Sequence, residues 1–177
     1  MSKNKKILLG VTGSIAAYKS ADIIRRLCER GHKVSVIMTL EAQRFITPLT
    51  LGTLCGEKVH VDMFDDSSWQ MNHIALAKAA DVFLIAPATA NIISKIATGI
   101  ADDLICSTAL VTSASMVIAP AMNEQMYKNK ILQGNIKKLK ELGFIFIDPV
   151  EGNLACGVHG EGHLAEVDDI VSIVSDL

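Results

Sequence analysis

The alternation of short apolar runs with helical patterns in this chain predicts a doubly wound parallel β-sheet between two helix layers, a three-layer α/β/α architecture. Three observations carry that reading. Val82–Ala86 is an uninterrupted apolar run, suited to a central parallel strand buried on both faces. Comparable runs recur at Lys6–Val11, Lys33–Met38 and Met116–Ala119, with helical periodicity between them. The order strand, glycine turn, helix, strand over the first 38 residues is the opening of a right-handed βαβ unit.

Taken in order, Lys6–Val11 is the first strand and runs into Thr12-Gly13-Ser14. Ser14 is a good N-cap and Gly31 a good stop, so Ile15–Arg30 is expected to be one helix. Lys33–Met38 is the second strand. Thr47-Pro48, a cap followed by proline at the first helical position, starts a short helix reaching about Leu54. Residues 56–72 read as loop with a short strand near Val59, and His73–Ala80 as a small helix. The central strand should stop at Pro87, which has no N–H for the ladder. Ile92–Thr98 is helical and ends at Gly99. Asp102 is expected to cap the next helix, and Pro120 to end the fourth strand. A lysine-studded helix over about Ile131–Leu142 precedes the last strand, Phe144–Ile147. From Pro149 to Gly162 the chain is glycine-rich and aperiodic, and Asp168–Val174 closes with a helix. The result is a single Rossmann-like, flavodoxin-like domain over residues 1–177.

Composition narrows the function classes. No apolar run reaches membrane-spanning length, and the basic N-terminus lacks a signal-peptide core. A net charge of −2 gives no electrostatic reason to expect nucleic acid. Cys28, Cys55, Cys106 and Cys156 show neither metal-type pairing nor a disulfide pattern, which fits a reduced cytoplasmic setting.

Four loops hold the candidate chemistry. Gly10-Val-Thr-Gly13-Ser14 precedes a helix N-terminus, where backbone N–H groups favour a phosphate. It lacks the third glycine of the dinucleotide fingerprint and the lysine of a Walker loop, so it suits a mononucleotide phosphate or is a plain tight turn. His73 stands at a helix start just upstream of the central strand, where a base could face the ligand crevice; a satisfied structural histidine is the alternative. Asn123 either caps a helix or presents its amide to a substrate carboxylate. Cys156 lies in the glycine-rich stretch, where a thiol could act as acid or nucleophile under a closing lid. His32 and His60 lack such placement, and Cys28 and Cys106 read as small core residues.

Gly13-Ser14-Ile-Ala-Ala-Tyr-Lys19, Asn72-His73-Ile, Pro87-Ala-Thr-Ala-Asn91, Pro120-Ala-Met-Asn123-x-x-Met126 and Ala155-Cys156-Gly157 with Gly160 and Gly162 resemble, in the same order, the motifs of the homo-oligomeric flavin-containing cysteine decarboxylase family. The resemblance implies an FMN site formed by Gly13, Ser14, Ile15, Thr39, Phe45, Thr89, Ala90 and Asn91, completed by Ser107 and Ala121. It implies His73 as catalytic histidine, Asn123 on the substrate carboxylate with Ala155 and His163 beside it, and Cys156 as proton donor. The implied reaction is decarboxylation of 4′-phosphopantothenoylcysteine through a thioaldehyde and an enethiolate. The implied assembly is a homotrimer, a trimer of trimers or a dodecamer, with the flavin near a subunit interface.

Two residues depart from the family pattern: Tyr127 where tryptophan is usual, and His163 where arginine normally helps bind substrate. In many bacteria this domain is fused to a second one, so a chain ending at Leu177 is expected to be either free-standing or an excised first domain. Other readings are a peptidyl-cysteine decarboxylase, a flavin prenyltransferase and a non-catalytic flavin-binding regulatory subunit. His73 and Asn123 argue against the prenyltransferase, and the lack of a long acidic tail against the regulatory subunit.

Overall fold

The computed structural model describes residues 4–64, 72–153 and 159–177. Five parallel strands form the main sheet: β1 (Lys6–Val11), β2 (Lys33–Met38), β3 (Val82–Ala88), β4 (Ser115–Pro120) and β5 (Ile145–Phe146), in the spatial order β2-β1-β3-β4-β5. That is the flavodoxin-like order, with its reversal between β1 and β3. All seven residues of β3 are buried, as its apolar run requires of a central strand.

The helices are α1 (Ser20–Glu29), α2 (Pro48–Cys55), α3 (Asn72–Ala79), α4 (Ala90–Thr98), α5 (Leu104–Val111), α6 (Glu124–Tyr127), α7 (Lys130–Glu141) and α8 (Val167–Asp176). Side chains of β1 and β3 alternate between two cores, because successive residues of a strand point to opposite faces. Leu9 and Leu84 face a core built with Ile23, Ile24 and Leu27 of α1 and Ile170, Val171 and Val174 of α8. Leu8, Phe83 and Ile85 face the other, built with Ile92 and Ile93 of α4, Leu104 and Ile105 of α5, and Leu132 and Ile136 of α7.

Several elements differ from expectation, each for a local reason. The first helix is split: Ile15–Lys19 is a 3₁₀ segment, and the α-helix begins only at Ser20. Ser14 closes the tight start by accepting from the Ala16 and Ala17 amides, and the Ser20 hydroxyl is drawn inward to the Ala86 carbonyl at 2.9 Å. β3 does not stop at Pro87 but runs to Ala88, with a register shift against β4 between Ile85 and Ala88 that accommodates the missing N–H. Pro120 likewise belongs to β4. Asp103, not Asp102, caps α5, accepting from Cys106 N at 2.8 Å, while Asp102 pairs with Lys95. The strand expected near Val59 is reduced to a single bridge between Ile37 and His60.

The largest departure is the glycine-rich stretch after Pro149. It contains an antiparallel pair, β6 (Val150–Asn153) and β7 (His159–His163). What fixes it is not apolar alternation but docking. The Met122 amide donates to the Gly162 carbonyl at 3.0 Å. Gly162 has φ +149°, and a Cβ there would lie 2.3 Å from the Met122 carbonyl oxygen, so glycine is required.

Candidate functional site

The C-terminal ends of β1 and β3, where the strand order reverses, are where an open α/β sheet places a ligand. A cavity of about 630 Å³ opens there, within the range of small-molecule sites. Its floor comes from the loops after β1 and β3. Thr12, buried at the end of β1, donates its hydroxyl to the Pro87 carbonyl (2.7 Å) and accepts from the Thr89 amide (3.0 Å), so one side chain joins the two loops.

Ser14 and Thr89 are the N-caps of the segments that leave these loops, accepting from Ala16 N and Ile92 N. The start of the 3₁₀ segment and the N-terminus of α4, with its dipole, therefore open onto the same cavity, and this arrangement suits a phosphate. Gly13 is forced by contact with the loop after β2, since a Cβ would come within 2.5 Å of the Glu41 Cβ. Thr39, just beyond β2, is fixed by its own amide on Val11 O and by its hydroxyl, which accepts from Ala42 N.

The opposite wall comes from the loop after β4 and the end of β7. Asn123 caps α6 by accepting from Gln125 N through its side-chain oxygen at 2.9 Å. The capping role expected of Asn123 is therefore present, and the same residue lines the cavity. His163 follows Gly162, and its Nδ1 lies 3.5 Å from Lys19 Nζ. Tyr127, at the position of the first departure, is buried, and its hydroxyl faces Asp148 at 3.5 Å. Burial and that carboxylate push the phenol up to about 12, so it stays protonated across the physiological range.

Of the residues named from sequence, Gly13, Ser14, Ile15, Thr39, Thr89, Ala90, Asn91, Ala121, Asn123 and His163 line this cavity together. Phe45, Ser107 and His73 do not. Phe45 is 45% exposed beyond the short 3₁₀ turn Ala42–Arg44. Ser107 lies a turn into α5, its hydroxyl between Met63 Sδ and Ala101 O, while Asp103 at the helix start lines the cavity. His73 is the second residue of α3, which packs on α5. Its Nδ1 is buried with no hydrogen-bond partner among the described residues, a costly arrangement for a polar ring atom. Ala155 and Cys156 lie outside the described residues. Cys106 is buried and Cys28 half-buried, as expected of core thiols; burial, followed by the neighbouring Cys55, pushes Cys28 up.

Among the cavity residues to which the sequence motifs assign no role are Thr12, at the turn after β1, Lys19, at the end of the Gly13–Lys19 motif, and Met122, between Ala121 and Asn123. The detectable signal was Lys19, a single cation in an otherwise apolar motif.

The model of the family described as "Flavoprotein" matches residues 1–177. The "Coenzyme A biosynthesis bifunctional protein CoaBC" of Borreliella burgdorferi is 47% identical over 174 residues, covering 98% of this chain and 45% of its own length. The chain thus spans less than half of that relative. The "Probable phosphopantothenoylcysteine decarboxylase" of Streptococcus mutans is 47% identical over 175 residues, covering 97% of this chain and 98% of its own. Among solved structures, the FMN-dependent cysteine decarboxylase SpaF superposes with a TM-score of 0.85 at 30% identity, over 99% of both chains.

Proposed function

The chain belongs to the Flavoprotein family, and we propose that it is an FMN-dependent decarboxylase converting 4′-phosphopantothenoylcysteine to 4′-phosphopantetheine in coenzyme A biosynthesis. The observation that carries this reading is the cavity at the β1/β3 switch point, where the capped loops at Ser14 and Thr89 meet a wall bearing Asn123. The residues fit FMN. One phosphate suits the starts of the two segments that leave the first two loops, and Ile15, Ala90 and Ala121 offer apolar surface to a ring.

Loss of CO₂ directly from a cysteine carboxylate would leave an unstabilised carbanion. When bound, the flavin supplies a two-electron acceptor that turns the thiol carbon into an electron sink. Asn123 holds the carboxylate by its amide, keeping it in place without a fixed positive charge. His73 takes the thiol proton or orients the carboxylate, and Cys156 supplies a proton to the enethiolate carbon. Because His73 does not line the cavity of its own chain, it acts at the site of a neighbouring subunit, where its Nδ1, without a partner among the described residues, meets its hydrogen-bond partner. A homotrimer, or a higher assembly of trimers, provides that neighbour, and exposed Phe45 and Leu49 are apolar surface for such contacts. A cytoplasmic setting is proposed from the free thiols of Cys28, Cys55 and Cys106. Among the described residues no helix is long and apolar enough to cross a membrane.

The test is a substrate panel. The flavin-loaded protein is incubated with 4′-phosphopantothenoylcysteine and, separately, with a peptide ending in cysteine, and the flavin is released and weighed. Turnover of the first substrate with FMN recovered supports the proposal. Turnover of the peptide alone, or recovery of FAD, overturns it.

A further inference from the structure

We propose that Lys19 and His163 form the subsite that reads the substrate's phosphate, with Lys19 supplying the fixed positive charge; this rests on the substrate reading given above. Both residues line the cavity, and Lys19 Nζ lies 3.5 Å from His163 Nδ1. The contact joins two otherwise separate parts of the fold. Lys19 ends the 3₁₀ segment that starts after Ser14, and His163 ends β7, pressed onto Met122 through Gly162.

The pair has the chemistry of an anion site. Lys19 has no acidic partner within ion-pair distance among the described residues, whereas Lys95, for example, is held by Asp102 and Asp103. His163 Nδ1 lies between the Lys19 ammonium and the Leu164 carbonyl, at 3.2 Å from the latter. Whichever tautomer the imidazole takes, the Lys19 ammonium, with three N–H donors, keeps at least two for an anion. A charged donor and an imidazole thus share one wall of the cavity.

This anion is not the cofactor's phosphate. A 3₁₀ segment rises about 2 Å per residue, so five residues set the Lys19 backbone roughly 10 Å from the Ser14 loop, and its ammonium is at His163. Nor does the pair suit the reacting carboxylate. That group leaves as neutral CO₂, and an ammonium on it would stabilise the ground state more than the transition state. The phosphate keeps its charge throughout, so cationic contacts to it bind substrate without opposing the reaction. The pair also accounts for the departure at position 163. A histidine is shorter than arginine and not permanently charged, and Lys19 provides what the imidazole lacks.

The experiment measures kcat/KM of the flavin-loaded protein on 4′-phosphopantothenoylcysteine and on its dephosphorylated form, for the parent and for Lys19→Ala, His163→Ala and His163→Arg. Lys19→Ala is expected to lower kcat/KM for the phosphorylated substrate about 10- to 100-fold more than for the other, mostly through KM, the size expected for a charged hydrogen bond. His163→Ala should reduce the same preference, and His163→Arg should preserve it. Equal losses on both substrates, no loss, or release of flavin from Lys19→Ala would each overturn the assignment. A parent that turns over neither substrate is a failure of the proposed function, and calorimetric binding of 4′-phosphopantetheine against pantetheine then decides the subsite by itself. A preference for the phosphorylated ligand that Lys19→Ala erases supports it, and no preference in the parent refutes it.

Discussion

Thr12 and Pro87, 75 residues apart, are joined by a 2.7 Å hydrogen bond from the threonine hydroxyl to the proline carbonyl, and the same hydroxyl accepts from Thr89. The loops after β1 and β3 are therefore one rigid unit. Replacing Thr12 by valine keeps the shape but orphans a buried carbonyl and a partly buried amide. The expected loss is roughly 1–3 kcal/mol of stability per orphaned group at most. Flavin occupancy should fall with it, because both loops line the proposed phosphate site. Denaturant titration and the flavin-to-protein absorbance ratio check this, and an unchanged ratio would separate the Thr12 bond from the binding site.

His32 ties the start of β1 to the last helix. The Lys5 amide donates to Nδ1 at 3.2 Å, so the proton sits on Nε2 and is donated to Ser175 Oγ at 3.0 Å. Burial, then the positive charges of Lys5 and Arg30, push His32 below its ordinary value of 6.5. The unfolded chain therefore binds this proton first. The contribution to stability is complete above pH 6.5 and is lost as pH falls from there toward the folded-state value. Thermal melts should show a steeper decline below that pH for the parent than for His32→Gln. Parallel curves would contradict the assignment.

How much of this was legible in the sequence varied with the physics involved. Strands buried on both faces announced themselves as apolar runs, and side-chain caps at Ser14, Thr47 and Asn123 obeyed local rules, so the sheet and most cavity residues could be placed. The β6–β7 pair was not legible, because its stability comes from Gly162 docking on Met122, a contact 40 residues distant in sequence that leaves no periodic trace. Pro87 inside β3 was missed because a register shift replaced the ladder bond its ring removes. Lys19 and His163 are far apart in the chain, and only the fold shows that they meet.

His73→Asn is expected to abolish turnover while leaving flavin content and assembly unchanged, since His73 does not line the cavity of its own chain. Mixing it with a variant inactivated at Asn123 provides the sharper readout. If His73 serves a neighbouring subunit, mixed oligomers contain sites with both residues intact, and part of the activity returns. No recovery from refolded mixtures would place His73 in its own subunit's site.

Cys156→Ser should separate the two halves of the reaction. A hydroxyl is a far weaker acid than a thiol, whose ordinary pKa is ~8.5, so late protonation slows while loss of CO₂ does not. The expected result is one equivalent of CO₂ per subunit and a product still carrying its double bond. Wild-type turnover by this variant would remove Cys156 from the role of proton donor.

The central claim is that a cysteine derivative loses CO₂ with no net oxidation. It is tested most directly by anaerobic incubation of the flavin-loaded protein with 4′-phosphopantothenoylcysteine, labelled in the cysteine carboxylate, without any added oxidant or reductant. The account predicts many turnovers, one labelled CO₂ per product, and a product with the mass of saturated 4′-phosphopantetheine. A product two hydrogens lighter, a halt after one turnover, or retention of the label in the substrate would contradict it.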